Sequence, residues 1–159
     1  MATGGRDDEL EDMFPGLRIT PYQIRRGGTS DYNCIAWAAG EDRRWWEPDE
    51  DGIEYWPPGI PREYTVQVYI AAFESLGYTK CEDEGLEAGF EKVAVYAREG
   101  EPTHASRQLD DGTWTSKIGK LSEIVHAFEA LNGDEYGSPV QILRRVRRPP
   151  GTGSMSSPS

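Results

Sequence analysis

Three strand-like runs follow one another between residues 91 and 119, and only turn residues separate them. EKVAVYAR is followed by PTHASRQL, then by the turn DDG and by TWTSKIG. Asp-Gly between two strand-like runs predicts a hairpin. Hairpins join antiparallel strands, whereas parallel strands need a crossover of roughly a dozen residues or more. This part of the chain therefore predicts an antiparallel sheet.

Two amphipathic helices are predicted on either side of these strands. YTVQVYIAAFESLGY ends at Gly77 as a C-cap and has apolar residues at helical spacing, namely Val66, Tyr69, Ile70, Phe73 and Leu76. LSEIVHAFEALNG has a similar spacing, with Ile124, Val125, Phe128 and Leu131 directed inward. YTKCE and SPVQILRRV predict further strands. Since the strands follow one another instead of alternating with helices, the pattern predicts an α+β fold.

A third, short helix is predicted in SDYNCIAWAAG, with Ser30 and Asp31 as possible caps and Gly40 as its end. Residues 41–63 then form a long loop with four prolines and three tryptophans, and long ordered loops are often functional. The chain of 159 residues fits one domain, which we predict at 13–148. We expect a disordered acidic arm at 1–12 and a flexible tail at 149–159.

The formal net charge of −11 argues against binding to nucleic acid or to an anionic membrane. It suits a basic protein partner instead. The segment after Met1 has no apolar run, so we expect no signal peptide, no transmembrane segment and a cytoplasmic location. Two cysteines do not make a disulfide framework, and we expect both thiols to be free.

Cys34 is the first site candidate because it falls at the predicted first turn of the small helix. Unpaired N–H groups at a helix N-terminus favour a thiolate over a thiol, which would make Cys34 a nucleophile. The same position suits a buried structural cysteine, one of the commonest states of a free cysteine. The segment by itself leaves both interpretations open.

A cysteine nucleophile needs a base, and the sequence contains only two histidines. His104 opens the first strand of the hairpin, from which its ring can point towards a helix packed on the sheet. His126 falls inside a predicted helix, where we expect a partly exposed side chain. The sequence therefore favours His104 as the partner of Cys34.

The order of these elements resembles the compact papain-like cysteine peptidases and amidases, in particular the CHAP and NlpC-like branch of bacterial cell-wall amidases. A Cys at the start of a small helix and a His opening a hairpin carry the resemblance, over about Asp31 to Lys117. It implies a small papain-like fold with the Cys helix packed on an antiparallel sheet, and a substrate that is a peptide or another amide. NCIAWA and WTSKIG are also similar to signatures of an uncharacterised bacterial domain family.

The resemblance implies a third polar residue about a dozen positions after the histidine, and Ser116 falls there. A two-residue turn would put Thr115 and Lys117 on the His104 face instead, whereas a three-residue DDG loop restores Ser116. Asp110 is a second candidate for this role. Asn33 is either a donor to an oxyanion or a turn residue.

The alternative to a cysteine hydrolase is a non-enzymatic acidic module, such as an adaptor or immunity-type protein, that keeps the fold without using the thiol. In the loop we expect Trp45 or Trp46 to pack on the domain and Trp56 to lie nearer the surface, beside substrate or partner. The cysteines and histidines lack the spacing of a zinc site, and EPDEDGIE does not match a calcium loop. We therefore predict no metal and no cofactor.

Overall fold

A computed structural model describes residues 6–147, and its central element is one sheet of seven strands. The strands follow the spatial order β1-β6-β5-β4-β3-β7-β2, and all neighbours pair antiparallel. Their bounds are β1 Gln23–Arg26, β2 Thr79–Cys81, β3 Phe90–Arg98, β4 Glu101–Gln108, β5 Trp114–Lys117, β6 Glu123–His126 and β7 Ser138–Val146. The fold is α+β, as the sequence predicts.

Three helices accompany the sheet: α1 Asp8–Met13, α2 Cys34–Ala38 and α3 Val66–Glu74, with a 3-10 turn at Pro15–Arg18. Helices α2 and α3 cover one face of the sheet, which we call the helix face, and pack there on Val95 and Ala105. The opposite face carries a second core around Tyr96 and Trp114. Within residues 6–147 no helix is long and apolar enough to cross a membrane.

The two helices of the helix face begin at capping side chains. Thr65 Oγ1 accepts from the N–H of Val68 at α3, and Asn33 Oδ1 accepts from the N–H of Ala36 at α2. The predicted helix at α3 is confirmed. The cap of α2 is Asn33, not Ser30 or Asp31, because only Asn33 directly precedes the first helical residue.

The prediction of a disordered arm at 1–12 is wrong for the residues that the structure describes. Asp7 caps α1, and Leu10 and Phe14 are each 1% exposed in the core of the opposite face. Phe14 lies 5.0 Å from the ring of Tyr136. A helix this short gains little stability by itself, so it is the apolar contacts that hold it. Residues 1–5 and the predicted tail at 149–159 lie outside the described residues.

The predicted helix at LSEIVHAFEALNG is also wrong, because residues 123–126 form β6. This strand lies between β1 and β5 and pairs antiparallel with both. Ile124 and His126 point to the opposite face, and Glu123 to the helix face, which is the alternation of a strand. The apolar residues that begin at Ile124 and Val125 fit the spacing of a helix as well as that of a strand. Pairing with β1 and β5 makes this segment a strand.

The hairpin between β4 and β5 has the three-residue loop DDG. The N–H of Leu109 donates to the carbonyl of Thr113 over 2.7 Å, which closes the loop at residues 110–112. Beyond it, the ladder pairs only Arg107 with Thr115 and Gln108 with Trp114. Nearer the start of β4 the two strands separate, although β5 continues to Lys117. We call this separation, between residues 104–106 and 116–117, the β4–β5 gap.

Candidate functional site

Cys34 is the first residue of α2 and is half-buried against the helix face of the sheet. Burial raises the pKa of its thiol to about 11. Backbone N–H groups of Ala105, Ile35 and Cys34 itself lower the pKa, but by less than burial raises it. The thiol is therefore neutral at pH 7: the N–H groups at the start of α2 lower its pKa, as predicted, but the loss of hydration outweighs them.

His104 lies on β4 and is completely buried. It pairs with Tyr96 of β3, so its ring points to the opposite face of the sheet. The ring stacks on Tyr136 at a centroid distance of 4.1 Å and meets Tyr96 edge-on at 5.0 Å. Burial lowers the pKa of His104 well below its usual range, so its imidazole is neutral at pH 7.

Ser116 lies across the β4–β5 gap from His104, as the three-residue loop requires. Its Oγ is 2.9 Å from His104 Nε2 and 2.8 Å from His126 Nε2. On its other side, His126 Nδ1 is 2.7 Å from the carbonyl oxygen of Ala127. The structure thus places Ser116 between two imidazoles, and the predicted contact with His104 is present. Asp110 is exposed at the turn and takes no part.

The hydrogen bonds from His104 through Ser116 and His126 end at the carbonyl oxygen of Ala127, and this oxygen determines the direction of each of them. A carbonyl oxygen only accepts, so His126 Nδ1 carries a proton, and the neutral ring then accepts at Nε2. The Ser116 hydroxyl donates to that nitrogen and accepts from His104 Nε2. His104 Nδ1 is left without a proton, and this buried nitrogen has no hydrogen-bond partner within residues 6–147.

Cys34 and His104 approach the β4–β5 gap from the two faces of the sheet. The backbone N–H of Ala105, the residue that follows His104 in β4, lowers the pKa of the thiol. Burial raises the pKa of Tyr136, the ring that stacks on His104, so this phenol is also neutral at pH 7. Within the described residues, no hydrogen bond joins the thiol to His104 Nδ1.

The comparisons with known proteins give a family for this span. The family model of a domain of unknown function, DUF7689, matches residues 23–144. The chain belongs to this family. Neither the curated proteins nor the solved structures gave a match. The DUF7689 span begins at β1 and ends within β7, so it includes the Cys34 helix, the hairpin and the Ser116–His126 contact, and it leaves out α1.

Two predicted site residues of the DUF7689 domain have structural roles. Asn33 Nδ2 donates to the carbonyl of Trp46 over 2.8 Å, and its Oδ1 accepts from the N–H groups of Ala36 and Trp46. It caps α2 and ties the loop to it, which is the turn role that the sequence left open. Trp56 is 4% exposed and packs on Tyr69, so the prediction of a surface position is wrong. Trp46 is buried, as predicted.

The sequence missed a second group of buried polar residues on the helix face. Glu123 Oε1 accepts from the hydroxyl of Tyr32 over 2.5 Å, and Lys117 Nζ donates to the carbonyls of Thr29 and Gly119, each over 2.6 Å. The charge of Lys117 lowers the pKa of Cys34, though less than burial raises it. Glu123 and His126 both lie on β6. The prediction of an amphipathic helix in this segment placed His126 at a partly exposed position and did not indicate that either residue is buried.

Proposed function

We propose that this chain is a cysteine hydrolase that cleaves an amide or ester bond. Cys34 is the nucleophile, His104 the general base, and Ser116 the residue that orients the imidazole. The observation that carries the proposal is the unpartnered Nδ1 of His104. It is a buried hydrogen-bond acceptor at the β4–β5 gap, in the residue that precedes Ala105, and the backbone N–H of Ala105 lowers the pKa of the Cys34 thiol.

An unpartnered buried nitrogen is costly, at ~1–3 kcal/mol for a lost hydrogen bond. Most buried polar groups in proteins are paired, so an exception calls for an explanation. Here the other three nitrogens of the two imidazoles are all satisfied, by Ser116 and by the Ala127 carbonyl. A base that must accept a proton during the reaction explains why this one nitrogen is left free.

The resting pair is neutral in this proposal. The thiol pKa is about 11 and burial lowers the imidazole pKa well below its usual range, so full proton transfer at rest is unfavourable. The proton therefore leaves Cys34 in step with attack, as it does from a serine nucleophile. The mechanism differs in this respect from a thiolate–imidazolium pair.

In the first half-reaction the Cys34 sulfur attacks the substrate carbonyl carbon, and His104 Nδ1 takes the thiol proton. The carbon–sulfur bond forms, and the imidazolium returns the proton to the leaving nitrogen or oxygen as its bond to carbon breaks. In the second, His104 removes a proton from water, which attacks the thioester and releases the acid and the thiol. The imidazolium is transient, and Ser116 accepts the Nε2–H throughout.

An acylation experiment tests the proposal with an internal control. The protein is mixed with p-nitrophenyl acetate and with a panel of peptide anilides, and acyl-enzyme is sought by mass spectrometry of the intact chain. We expect acetylation that Cys34→Ala abolishes and Cys81→Ala leaves unchanged, since Cys81 is the other, half-buried cysteine. Equal acetylation of wild type and Cys34→Ala, or no acetylation and no turnover of any anilide, would contradict it.

The second candidate function is a non-enzymatic module that binds a basic protein. The complete burial of His104 and the raised pKa of Cys34 favour it, because the imidazole does not meet solvent and the thiol is not ionised at pH 7. The net charge of −11 suits a basic partner. In that case Cys34→Ala leaves partner affinity intact and partner binding weakens with salt, whereas a hydrolase loses its turnover with the same change.

A further inference from the structure

We infer that His126, acting through Ser116, is the positioning residue that holds His104 in the tautomer with an unprotonated Nδ1. The inference deepens the proposed function, and for its catalytic meaning it rests on that function. The tautomer itself is a property of the folded protein and can be measured without turnover. His126 acts on His104 only through Ser116 and not on the Cys34 thiol.

The position of His126 in the sheet makes the contact local and dry. In the β5–β6 ladder Trp114 pairs with His126 and Ser116 pairs with Ile124, so Ser116 and His126 are diagonal neighbours on one face. His126 is 1% exposed and Ser116 is completely buried, so water does not compete for these bonds. The aromatic rings around these hydrogen bonds are apolar or neutral, namely Tyr96, Trp114 and Tyr136.

The hydrogen bonds that run from His104 through Ser116 and His126 to Ala127 have one stable direction. Reversal would make His126 Nε2 a donor to Ser116 and leave Nδ1 of the neutral ring as a lone pair 2.7 Å from the Ala127 carbonyl oxygen. Two acceptors at that distance repel each other, and the buried Nδ1 of His126 would have no partner. The carbonyl of Ala127 thus fixes the tautomer of His126. Through Ser116 it also fixes the tautomer of His104.

Removal of the acceptor at residue 126 has a defined consequence. The Ser116 hydroxyl then has no partner at 2.8 Å and can rotate to donate to His104 Nε2 instead. In that state the imidazole carries its proton on Nδ1 and cannot accept one there from a thiol. A variant that keeps an acceptor near the position of Nε2 should preserve the original direction, since the hydroxyl then still donates away from His104.

Nitrogen-15 NMR of the imidazoles tests this directly. The sequence has only two histidines, so a variant at residue 126 leaves His104 as the only imidazole in the spectrum. His126→Gln retains an acceptor oxygen, and His126→Phe has a ring of similar size without one. We expect His104 to have a protonated Nε2 and an unprotonated Nδ1 in wild type and in His126→Gln. In His126→Phe we expect the Nδ1-protonated tautomer to predominate.

Ser116→Ala provides a second variant in case His126→Phe does not fold. It cuts the link but leaves both imidazoles, and His104 should then lose its preference for the Nε2-protonated form. Circular dichroism and a cooperative melt establish that each variant is folded. Two results would overturn the inference. One is a His104 tautomer that stays unchanged in every folded variant that lacks the acceptor or the hydroxyl. The other is an Nδ1-protonated His104 in wild type.

Acylation of Cys34 separates the inference from the proposed function. If His104 is the base, His126→Phe should slow acylation by roughly 10²-fold or more, and His126→Gln should restore most of the rate. The tautomer of His104 can change as expected although no acyl donor modifies Cys34. That result would support the inference and count against the hydrolase. Acylation that requires Cys34 and His104 but is unchanged in His126→Phe would count against the inference alone.

Discussion

The hydroxyl of Ser116 lies 2.9 Å from Nε2 of His104, across a gap where β4 and β5 share no backbone pairing. The side chains therefore bridge the two strands at the point where the backbone ladder has ended. From the helix face, α2 packs on β4 and β5, and the N–H of Ala105 in the same gap lowers the pKa of the Cys34 thiol.

Cys34 should react with iodoacetamide more slowly than a free cysteine at pH 7. Burial raises the pKa of the thiol to about 11, whereas a free thiol has a pKa of about 8.5. The measurement uses Cys81→Ala, in which Cys34 is the only thiol, and follows the alkylation rate from pH 6 to pH 10. Unfolding in urea should restore the free rate. Fast alkylation of the folded protein at pH 7 would show that burial does not control this thiol.

Acid should destabilise the fold between about pH 6.5 and pH 4. Burial lowers the pKa of His126 from 6.5 to about 4, so in this window the unfolded chain binds a proton that the folded chain does not. The stability that the neutral imidazole contributes is present above pH 6.5 and is lost as the pH falls, by about 3 kcal/mol. Urea titrations at several pH values measure it. His126→Gln, which cannot titrate, should lose less stability than wild type over this window.

Leu10→Ala should lower the free energy of unfolding by about 2–4 kcal/mol, because it leaves a cavity in a packed core. Leu10 is 1% exposed between α1 and the sheet. Glu9→Ala, at an exposed position of the same helix, is the matched control and should change stability little. A Leu10 variant as stable as wild type would mean that α1 does not dock in solution.

Trp56→Ala should cost about 3 kcal/mol of stability, as expected for a buried aromatic side chain. The indole is 4% exposed and lies 5.6 Å from the ring of Tyr69. Its N–H has no partner within the described residues, so Trp56→Phe should cost less than Trp56→Ala. Thermal melts of both variants and of Trp45→Ala, at a half-buried position, make the comparison. Equal melting temperatures for Trp56→Ala and wild type would contradict burial.

Local chemistry predicted the hairpin and the helix α3, and it left open only the length of the hairpin loop. The DDG turn, with Gly112 at a φ of +92°, sets the hairpin register and therefore the face on which Ser116 lies. Apolar spacing and the end at Gly77 were sufficient for α3. In each case the signal and the structure that it predicts lie within a few residues of one another, so no distant contact could alter the outcome.

Contacts between distant segments decided the rest. Residues 123–126 become a strand because β1 and β5 both pair with them, and only this pairing brings His126 to Ser116. Helix α1 forms on a core supplied by residues more than eighty positions away. The sequence alone identified Cys34, His104 and Ser116 as candidates. Their burial, which sets the pKa of each titrating group, arises from packing of the whole chain and is not encoded in any short segment.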